Sequence, residues 1–538
     1  MFALVDVNSF YANWMPAGLF KQSALIQNGI ISDEARSGYN GRAVNIINGV
    51  RFGADRTDVP FQNWYYGGIR KANEFLQNIE ERYILPANAT QAQKEQRDRF
   101  IGEVRFYRAH LYWEMIKVYG GVPIITKVID KDETDESLLY PKRNTTDESF
   151  TFIIKELKEA ADLLPVTYSG DNWGRITKGA ALAYCARIQL YRASPMFNPS
   201  NEKKYWEDAY DTYKDVIGLD VYDLHPTFSD IWKEKGENNK EIIWFKDYKK
   251  GTITHGWDAG NMMRSQAVGD ATANCPVQEL VDAFPMKDGT PYVKSNPETN
   301  PYDYRDPRLR ETVVWNGDTY GPRKEKVYTF VSESTDPNSP MYNFDGIDSH
   351  QSATSTGYYM RKMKDESLDG KKGDYGYGKG SYTQWVELRY AEVLLGLAEA
   401  ANEIGETEEG VEQIKLIRKR AGILPGENKR YGIPENISVD DFRTLVQNER
   451  YIELAFEDKR YWDLRRWKLA HLKLNNQLTA MEIRKKINGE EISYTYTRRV
   501  QRHDKTNKPV FLEKFYFLPL PKEELLRNPN LEQNEEWK

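Results

Sequence analysis

The sequence predicts a mostly α protein: a scaffold of about four tetratricopeptide-like helix pairs, interrupted by a long irregular, partly β insertion. Three observations carry that expectation. Apolar residues recur at three- and four-residue steps over 64–220 and again over 387–472. Ala180, Ala183 and Ala186 fall on one stripe, and small residues so placed let a neighbouring helix approach closely. Between the two helical regions, residues 221–386 are dense in Gly, Pro, Asn and Asp and lose the helical rhythm.

Taken in order, residues 1–63 give a short helical start and then a polar, Gly- and Asn-rich stretch that reads as loop. From Trp64, the residues Ile69, Ala72, Leu76, Ile79 and Tyr83 mark one helix that stops before Pro86. Phe100, Val104, Tyr107, Leu111, Met115 and Val118 mark the next, ending at Gly120 and Gly121. Further helices are expected at Phe152–Leu164, Ile176–Ala193 and 203–217. In the insertion, EIIWF (241–245), ETVVW (311–315) and KVYTF (326–330) read as strands. An irregular region of that length suggests a functional elaboration, here a ligand-facing one. Helices resume at Leu388–Ile404, Glu408–Ala421, Asp440–Phe456 and Lys459–Leu472. In the closing segment, 473–538, EEISYTYT and PVFLEKFYFLP read as the two arms of a hairpin, and the whole of 1–538 is expected to form a single domain.

Composition excludes several function classes. The net charge is −6 and no run of Lys and Arg occurs, so a nucleic-acid partner is not expected. No stretch of 18 apolar residues is present to cross a membrane as a helix. The first residues, MFALVDVNSFYANW, lack the basic region and cleavage site of a signal peptide. Cys185 and Cys275 are far apart and form no framework. The six histidines are scattered, and no G-x-S-x-G, H-E-x-x-H or Walker pattern occurs, so no catalytic residue and no metal site are assigned. GYGKG (376–380) reads as a flexible turn. NFDGID (343–348) resembles a calcium loop without its first and last ligands, which leaves no cofactor beyond an incidental surface calcium.

One group of carboxylates stands out. Glu449, Glu453 and Glu457 lie on an i, i+4, i+8 row, where like charges repel by a few tenths of a kcal/mol unless cations answer them. Arg450, Arg460, Arg465 and Arg466 are the nearby cations, and a structural ion network joining two helices is expected rather than acid/base chemistry.

Aromatic residues make up 13% of the chain against an apolar total of 40%, so many rings must keep a wet edge. Rings among Gly, Asn and Asp have less packing to satisfy and offer flat stacking surfaces to a sugar or a peptide side chain. Trp14, Tyr39, Trp257, Tyr302, Tyr304, Trp315, Tyr320, Tyr358 and Tyr359 are so placed, whereas Trp64, at a helix start, reads as packing. The candidate ligand-binding set is Tyr39, Asn45, Arg51, Asp55, Trp257, Asp258, Trp315 and Tyr320, the polar members chosen as partners for hydroxyls. Three ring contacts of about 0.5–1.5 kcal/mol each, with a few hydrogen bonds, give a site in the millimolar to tens-of-micromolar range, roughly.

Four stretches in order, RFYRAHLYWEMIKVYGGVPII (105–125), LRYAEVLLGLAEAANEIG (388–405), NERYIELAFEDKRYWDLRRW (448–467) and FLPLPKEELLRNPNLEQN (517–534), resemble the SusD/RagB family of bacterial outer-membrane nutrient-binding lipoproteins. The resemblance implies a scaffold of four helix pairs and a non-enzymatic, surface-exposed subunit. That subunit captures oligosaccharide or polysaccharide and passes it to a SusC-like TonB-dependent transporter. Glycan contacts are implied in 30–64 and 250–325, with no motif that assigns single residues. It also implies attachment to the outer membrane only through a lipidated N-terminal Cys, which this sequence lacks together with its signal; a start inside the mature protein is the expectation. A peptide-binding subunit of the same kind of importer, a glycosidase and a protein-binding adaptor are the alternatives.

Overall fold

The computed structural model describes residues 28–38, 46–50, 52–55, 62–82, 84–130, 132–266, 272–294, 296–374 and 380–538. They fall into two compact units, one drawn from Arg51–Tyr222 and Leu512–Lys538, the other from Gly18–Val50 and Asp223–Phe511.

The first unit holds five long helices, α1 (Tyr66–Glu81), α2 (Gln91–Tyr119), α3 (Thr146–Leu163), α4 (Lys178–Ala193) and α5 (Lys203–Gly218), each packed on the next in sequence. Side-chain caps fix where they begin. Thr90 and Gln93 form a reciprocal capping box before α2, as Thr145 and Glu148 do before α3, and Thr177 accepts from the Ala180 N–H at the start of α4. The apolar rhythm places the start of α2 at Phe100; the capped helix begins at Gln91, because its first turns are polar and solvated. Further along, α2 is buried on most of its circumference, since α1 and α3 cover it from two sides. Ala72, Phe75 and Ile79 of α1 meet Phe100 and Val104 of α2 in one core cluster.

Residues 509–519 are not a hairpin arm. Glu513–Tyr516 is a short 3₁₀ turn, and the Leu518 N–H then donates to the Val118 carbonyl at 2.9 Å. Arg143 holds this return in place by donating to the Tyr119 and Gly121 carbonyls and to Asn534 Oδ1.

In the second unit, β1 (Ile242–Lys246) pairs antiparallel with β2 (Trp385–Arg389), which runs directly into helix α6 (Tyr390–Ile404). Helices α7 (Thr407–Arg420) and α8 (Val439–Glu453) pack on α6 and on each other. The helix expected to continue to Phe456 stops at Glu453, because Phe456 and Asp458 both take φ of 64°, in the left-handed region. The helix expected over Lys459–Leu472 is likewise broken: α9 (Arg460–Arg466) ends before Lys468, at φ 57°, and a single turn follows at Ala470–Lys473. The expected strand at 311–315 shrinks to Val313–Val314, because Asp306 caps a short helix over Pro307–Thr312. Of KVYTF only Lys326 is in a strand, in the pair Glu325–Lys326. The hairpin of the closing segment joins β3 (Thr479–Asn488) to β4 (Glu491–Val500) through a two-residue turn with Gly489 at φ 64°.

The row Glu449, Glu453 and Glu457 lies fully inside this unit. Arg308 contacts Glu449 at 2.7 Å and Glu453 at 2.8 Å, and Arg418 reaches Glu449 at 2.9 Å. Arg389 joins Glu453 at 2.7 Å, Glu457 at 2.8 Å and Glu241 at 2.7 Å. Arg420 pairs with Glu453 and Glu241, and Lys362 with Glu457 at 2.7 Å. An ion network is what the spacing suggests, but its cations come from elsewhere in the chain. Arg450 pairs with Asp463, Arg460 with Asp33, Arg466 with Glu399 and Asp463, and Arg465 lies over the Trp462 ring at 4.9 Å. Among the described residues, the cations that reach the row come from the insertion, the start of α6 and the end of α7. Burial alone would raise Glu453, but Arg420, Arg389 and Arg308 outweigh it and hold its carboxyl well below the usual range.

At Glu34 the balance goes the other way, because the Arg460 and Lys362 charges that favour its ionised form do not offset burial. Burial lifts its carboxyl to about 8 against the hydrogen bond from the Phe456 N–H at 3.0 Å, with the Asp33 charge adding to the rise.

Two outcomes follow from these groups. Glu453→Ala leaves Arg308, Arg389 and Arg420 short of a counter-charge inside the unit and is expected to lower unfolding stability by about 3–5 kcal/mol in a denaturant titration. Glu34 keeps its proton in the folded protein while the unfolded chain loses it above 4.5, so this residue lowers stability progressively as pH rises from 4.5 to about 8. Glu34→Gln removes that slope; chemical denaturation across the same interval reads it, and an unchanged slope contradicts the assignment.

Candidate functional site

Of the eight residues expected to touch ligand, Tyr39, Asn45 and Arg51 lie outside the described residues. Asp55, in the first unit, is exposed and pairs with Lys522 at 3.2 Å. The remaining four belong to the second unit, and three of them are buried. Trp257 is sealed, with its indole N–H donating to the Lys362 carbonyl at 3.3 Å. Asp258 is equally inaccessible; it accepts from the Asp365 N–H at 2.8 Å, and burial raises its carboxyl to about 6 with Lys364 opposing. Tyr320 packs with Met262, Met263, Val314 and Tyr359 beneath the Lys364 ammonium. The expectation that these three face a ligand is therefore corrected. A region without long helices must build its own core, and large rings among the glycines supply it.

Trp315 is different. Val313 and Val314 are pinned in the core by their pairing with Tyr359–Met360, and the next residue emerges half-buried. Its indole stacks on Tyr302 with centroids 5.0 Å apart and planes 17° from parallel. Tyr302 in turn is fixed from below. Its hydroxyl donates to Tyr358 Oη at 3.1 Å, Tyr358 donates to Gln278 Oε1 at 2.7 Å, and Gln278 donates to Asp282 Oδ1 at 2.8 Å. Arg498 of β4 closes the chain on the same Asp282 oxygen at 2.8 Å.

Strand β4 extends the surface. Alternation along SYTYT puts Tyr494 and Tyr496 on one face. Tyr496 meets Tyr302 edge-on at 6.0 Å, and Tyr494 lies 6.2 Å from Phe330, which Tyr328 also meets edge-on at 6.0 Å. Trp315, Tyr496, Tyr494 and Tyr328 thus form a part-exposed aromatic platform over the buried Tyr302 and Phe330. Polar groups edge it. The Asn316 side chain accepts from the Thr329 N–H at 2.9 Å and meets the Tyr494 hydroxyl, while exposed Asp303, beside Tyr496, is held by Asn300 at 2.9 Å. Burial pushes the Tyr496 hydroxyl up to about 12, so it is a neutral donor at ordinary pH. Tyr304 flanks this stretch, 81% exposed and at φ 55°, a left-handed conformation that costs a bulky residue of order 1 kcal/mol.

Sequence reasoning missed Tyr328, Tyr494, Tyr496, Asn316 and Asp303. The alternation at 493–497 was a legible signal of two rings on one face, but it did not say that the face meets Tyr302.

The remaining candidates give less. Asp345 of NFDGID accepts from the Ser265 N–H at 2.9 Å, and Asp348 pairs with Arg502 at 2.9 Å, so both carboxylates of that loop are engaged. Among the described residues no group of three His, Cys, Asp or Glu side chains converges as metal ligands. A hollow of about 580 Å³ in the first unit, between the first turns of α2 and the end of α3, sets Tyr168 among Glu95, Asp98 and Asp162. It offers one ring where the platform offers several.

Known proteins share this architecture. The model of the SusD family matches residues 240–537, and a second model, described as "Starch-binding associating with outer membrane", matches residues 21–190. SusD-like protein P2 of Formosa agariphila is 25% identical over 541 residues, spanning 98% of this chain and 90% of that protein. A solved SusD-like protein of Bacteroides fragilis superposes with a TM-score of 0.74 at 26% identity, covering 98% of this chain and 95% of the other. A second Bacteroides fragilis structure, described as a SusD-like carbohydrate binding protein, gives a TM-score of 0.76 at 23% identity over 98% of each chain. With a family model matched across more than half its length and the same mostly helical fold throughout, this chain belongs to the SusD family.

Proposed function

We propose that this protein is a cell-surface glycan-binding subunit of the outer membrane, holding oligosaccharides on the Trp315 platform and delivering them, unaltered, to a partner TonB-dependent transporter. The observation that carries this reading is the pair Trp315 and Tyr302, stacked at 5.0 Å and continued by Tyr496, Tyr494 and Tyr328. A flat ring presents its π face to the C–H face of a pyranose, and the exposed Asp303 carboxylate suits hydroxyls. The description of the model matched at 21–190 and the name of the second Bacteroides fragilis relative point the same way.

A peptide added as an extra strand is the poorer fit. It needs an open sheet edge, and the hairpin edges here are bonded at several points: Tyr496 N–H to the Pro297 carbonyl at 2.8 Å, Met481 N–H to Thr356 at 2.9 Å, and Val331 N–H to Ile483 at 2.8 Å. A hydrolytic reading fits poorly as well, since the conspicuous row of acids is locked to arginines inside the unit. Individual ring contacts of about 0.5–1.5 kcal/mol make a weak site, and simultaneous contact of one ligand with the transporter raises its effective affinity.

Trp315→Ala is expected to weaken retention on polysaccharide affinity gels by about tenfold, the equivalent of one lost ring contact, with little change in unfolding midpoint. Trp257→Ala, by contrast, is expected to lower stability by about 3–5 kcal/mol through the cavity it leaves. Unchanged retention in Trp315→Ala, or new oligosaccharide products by chromatography after incubation, overturns the proposal.

A further inference from the structure

We infer that the glycan held on this platform is anionic, its carboxylate or sulfate ester met by Lys485 and Lys326 at the Tyr494–Tyr328 end. This rests on the glycan-binding reading above and adds the charge of the ligand to it.

The chain carries 81 acidic against 75 basic residues, and the arginines near the hairpin are spent on acids: Arg498 on Asp282, Arg499 on Asp348 and Glu482, Arg484 on Glu333 and Glu482. Two lysines depart from that pattern. Lys485 stands directly opposite Tyr494 in the ladder, so both side chains lie on the same face of the hairpin. Its ammonium is held 5.2 Å from the Phe330 centroid and donates to the Pro340 carbonyl at 2.8 Å, with no carboxylate partner among the described residues. One of three N–H donors is used in that bond, which leaves charge and donors at the edge of the rings. Lys326 is exposed, sits opposite Thr319, and comes two residues before Tyr328 with buried Val327 between them. Exposure alternates over 326–329, with Val327 and Thr329 buried, which puts Lys326 and Tyr328 on the same, outer side. It too forms no ion pair among the described residues.

The acid of the platform lies elsewhere. Asp303 is beside Tyr496, and Tyr496 and Tyr494 are separated by two residues of strand, about 7 Å, close to the length of one sugar residue. The surface thus has a direction: an acceptor of hydroxyls at the Tyr496 end and an acceptor of negative charge at the Tyr494 end. The Lys485 ammonium beside the rings, with Lys326 on the outer side two residues from Tyr328 and neither ion-paired among the described residues, suits a uronate or a sulfated sugar, whose charge-assisted bonds are stronger than hydroxyl bonds.

Calorimetry with matched pairs tests this: oligogalacturonate against its carboxyl-reduced form, and a sulfated galactan oligosaccharide against its desulfated form. Each pair is titrated into the wild-type protein, Lys485→Gln, Lys326→Gln and Trp315→Ala. The charged member of one pair is expected to bind about fivefold or more tightly than its neutral counterpart, and raising salt from about 50 to about 300 mM to narrow the difference. Which pair shows the gap tells carboxylate from sulfate. Lys485→Gln is expected to close most of the gap, with Lys326→Gln closing the rest. Equal affinity for charged and neutral members, both weakened in Trp315→Ala, overturns the inference while leaving the glycan platform intact. Absence of binding by every member removes the platform reading and this inference with it.

Discussion

The second unit depends on keeping three stacked carboxylates dry. Removing an ion from water costs several kcal/mol even after relaxation, so Glu449, Glu453 and Glu457 are tolerable inside only because Arg308, Arg389, Arg418, Arg420 and Lys362 converge on them. The cations come from distant stretches: Arg308 and Lys362 from the irregular region, Arg389 from the start of α6, Arg418 and Arg420 from the end of α7. Segments with too little regular hydrogen bonding to define their own course are thereby fixed to helix α8 by charge. Since Arg308 lies between Tyr302 and Trp315 in the chain, the same ties that satisfy the glutamates also set where the stacked rings stand.

Rigidity at the ring surface has a second source in the relay from Tyr302 through Tyr358, Gln278 and Asp282 to Arg498. Each hydroxyl or amide in it has one arrangement that satisfies its neighbours, which pins Tyr302 and, through stacking, orients Trp315. A weak site gains from such fixing, because little conformational freedom is lost when ligand arrives. Tyr304 completes the contrast: it is exposed and strained, where its neighbour two residues earlier is sealed and bonded.

Much of this was readable from the residues. Helix positions followed apolar spacing, and the starts of α2 and α3 follow from Thr and Gln or Glu three apart, although the polar first turns of α2 carried no apolar signal. That the glutamate row would be an ion network was legible from the like-charge spacing. Its partners were not, because Arg308 and Arg389 are distant in sequence and become neighbours only through the folded path. The same limit applied to the rings. Tyr320 and Trp315 sit in similar Gly- and Asp-rich surroundings, and what separates them is whether Met262, Met263 and Val314 close over the ring or a β pair ends beneath it. Local composition does not encode that difference.

The return of Leu518 to Val118, secured by Arg143 and Asn534, means that the first unit is finished by residues that follow its helices by about 300 positions in the chain. Its five helices are translated long before the segment that caps them, with Asp223–Phe511 of the second unit made in between. Contacts so remote in sequence close slowly, and an uncapped helical stack exposes apolar surface meanwhile. Loss of residues 512–538 would thus injure the unit built from Arg51–Tyr222, far from it in sequence.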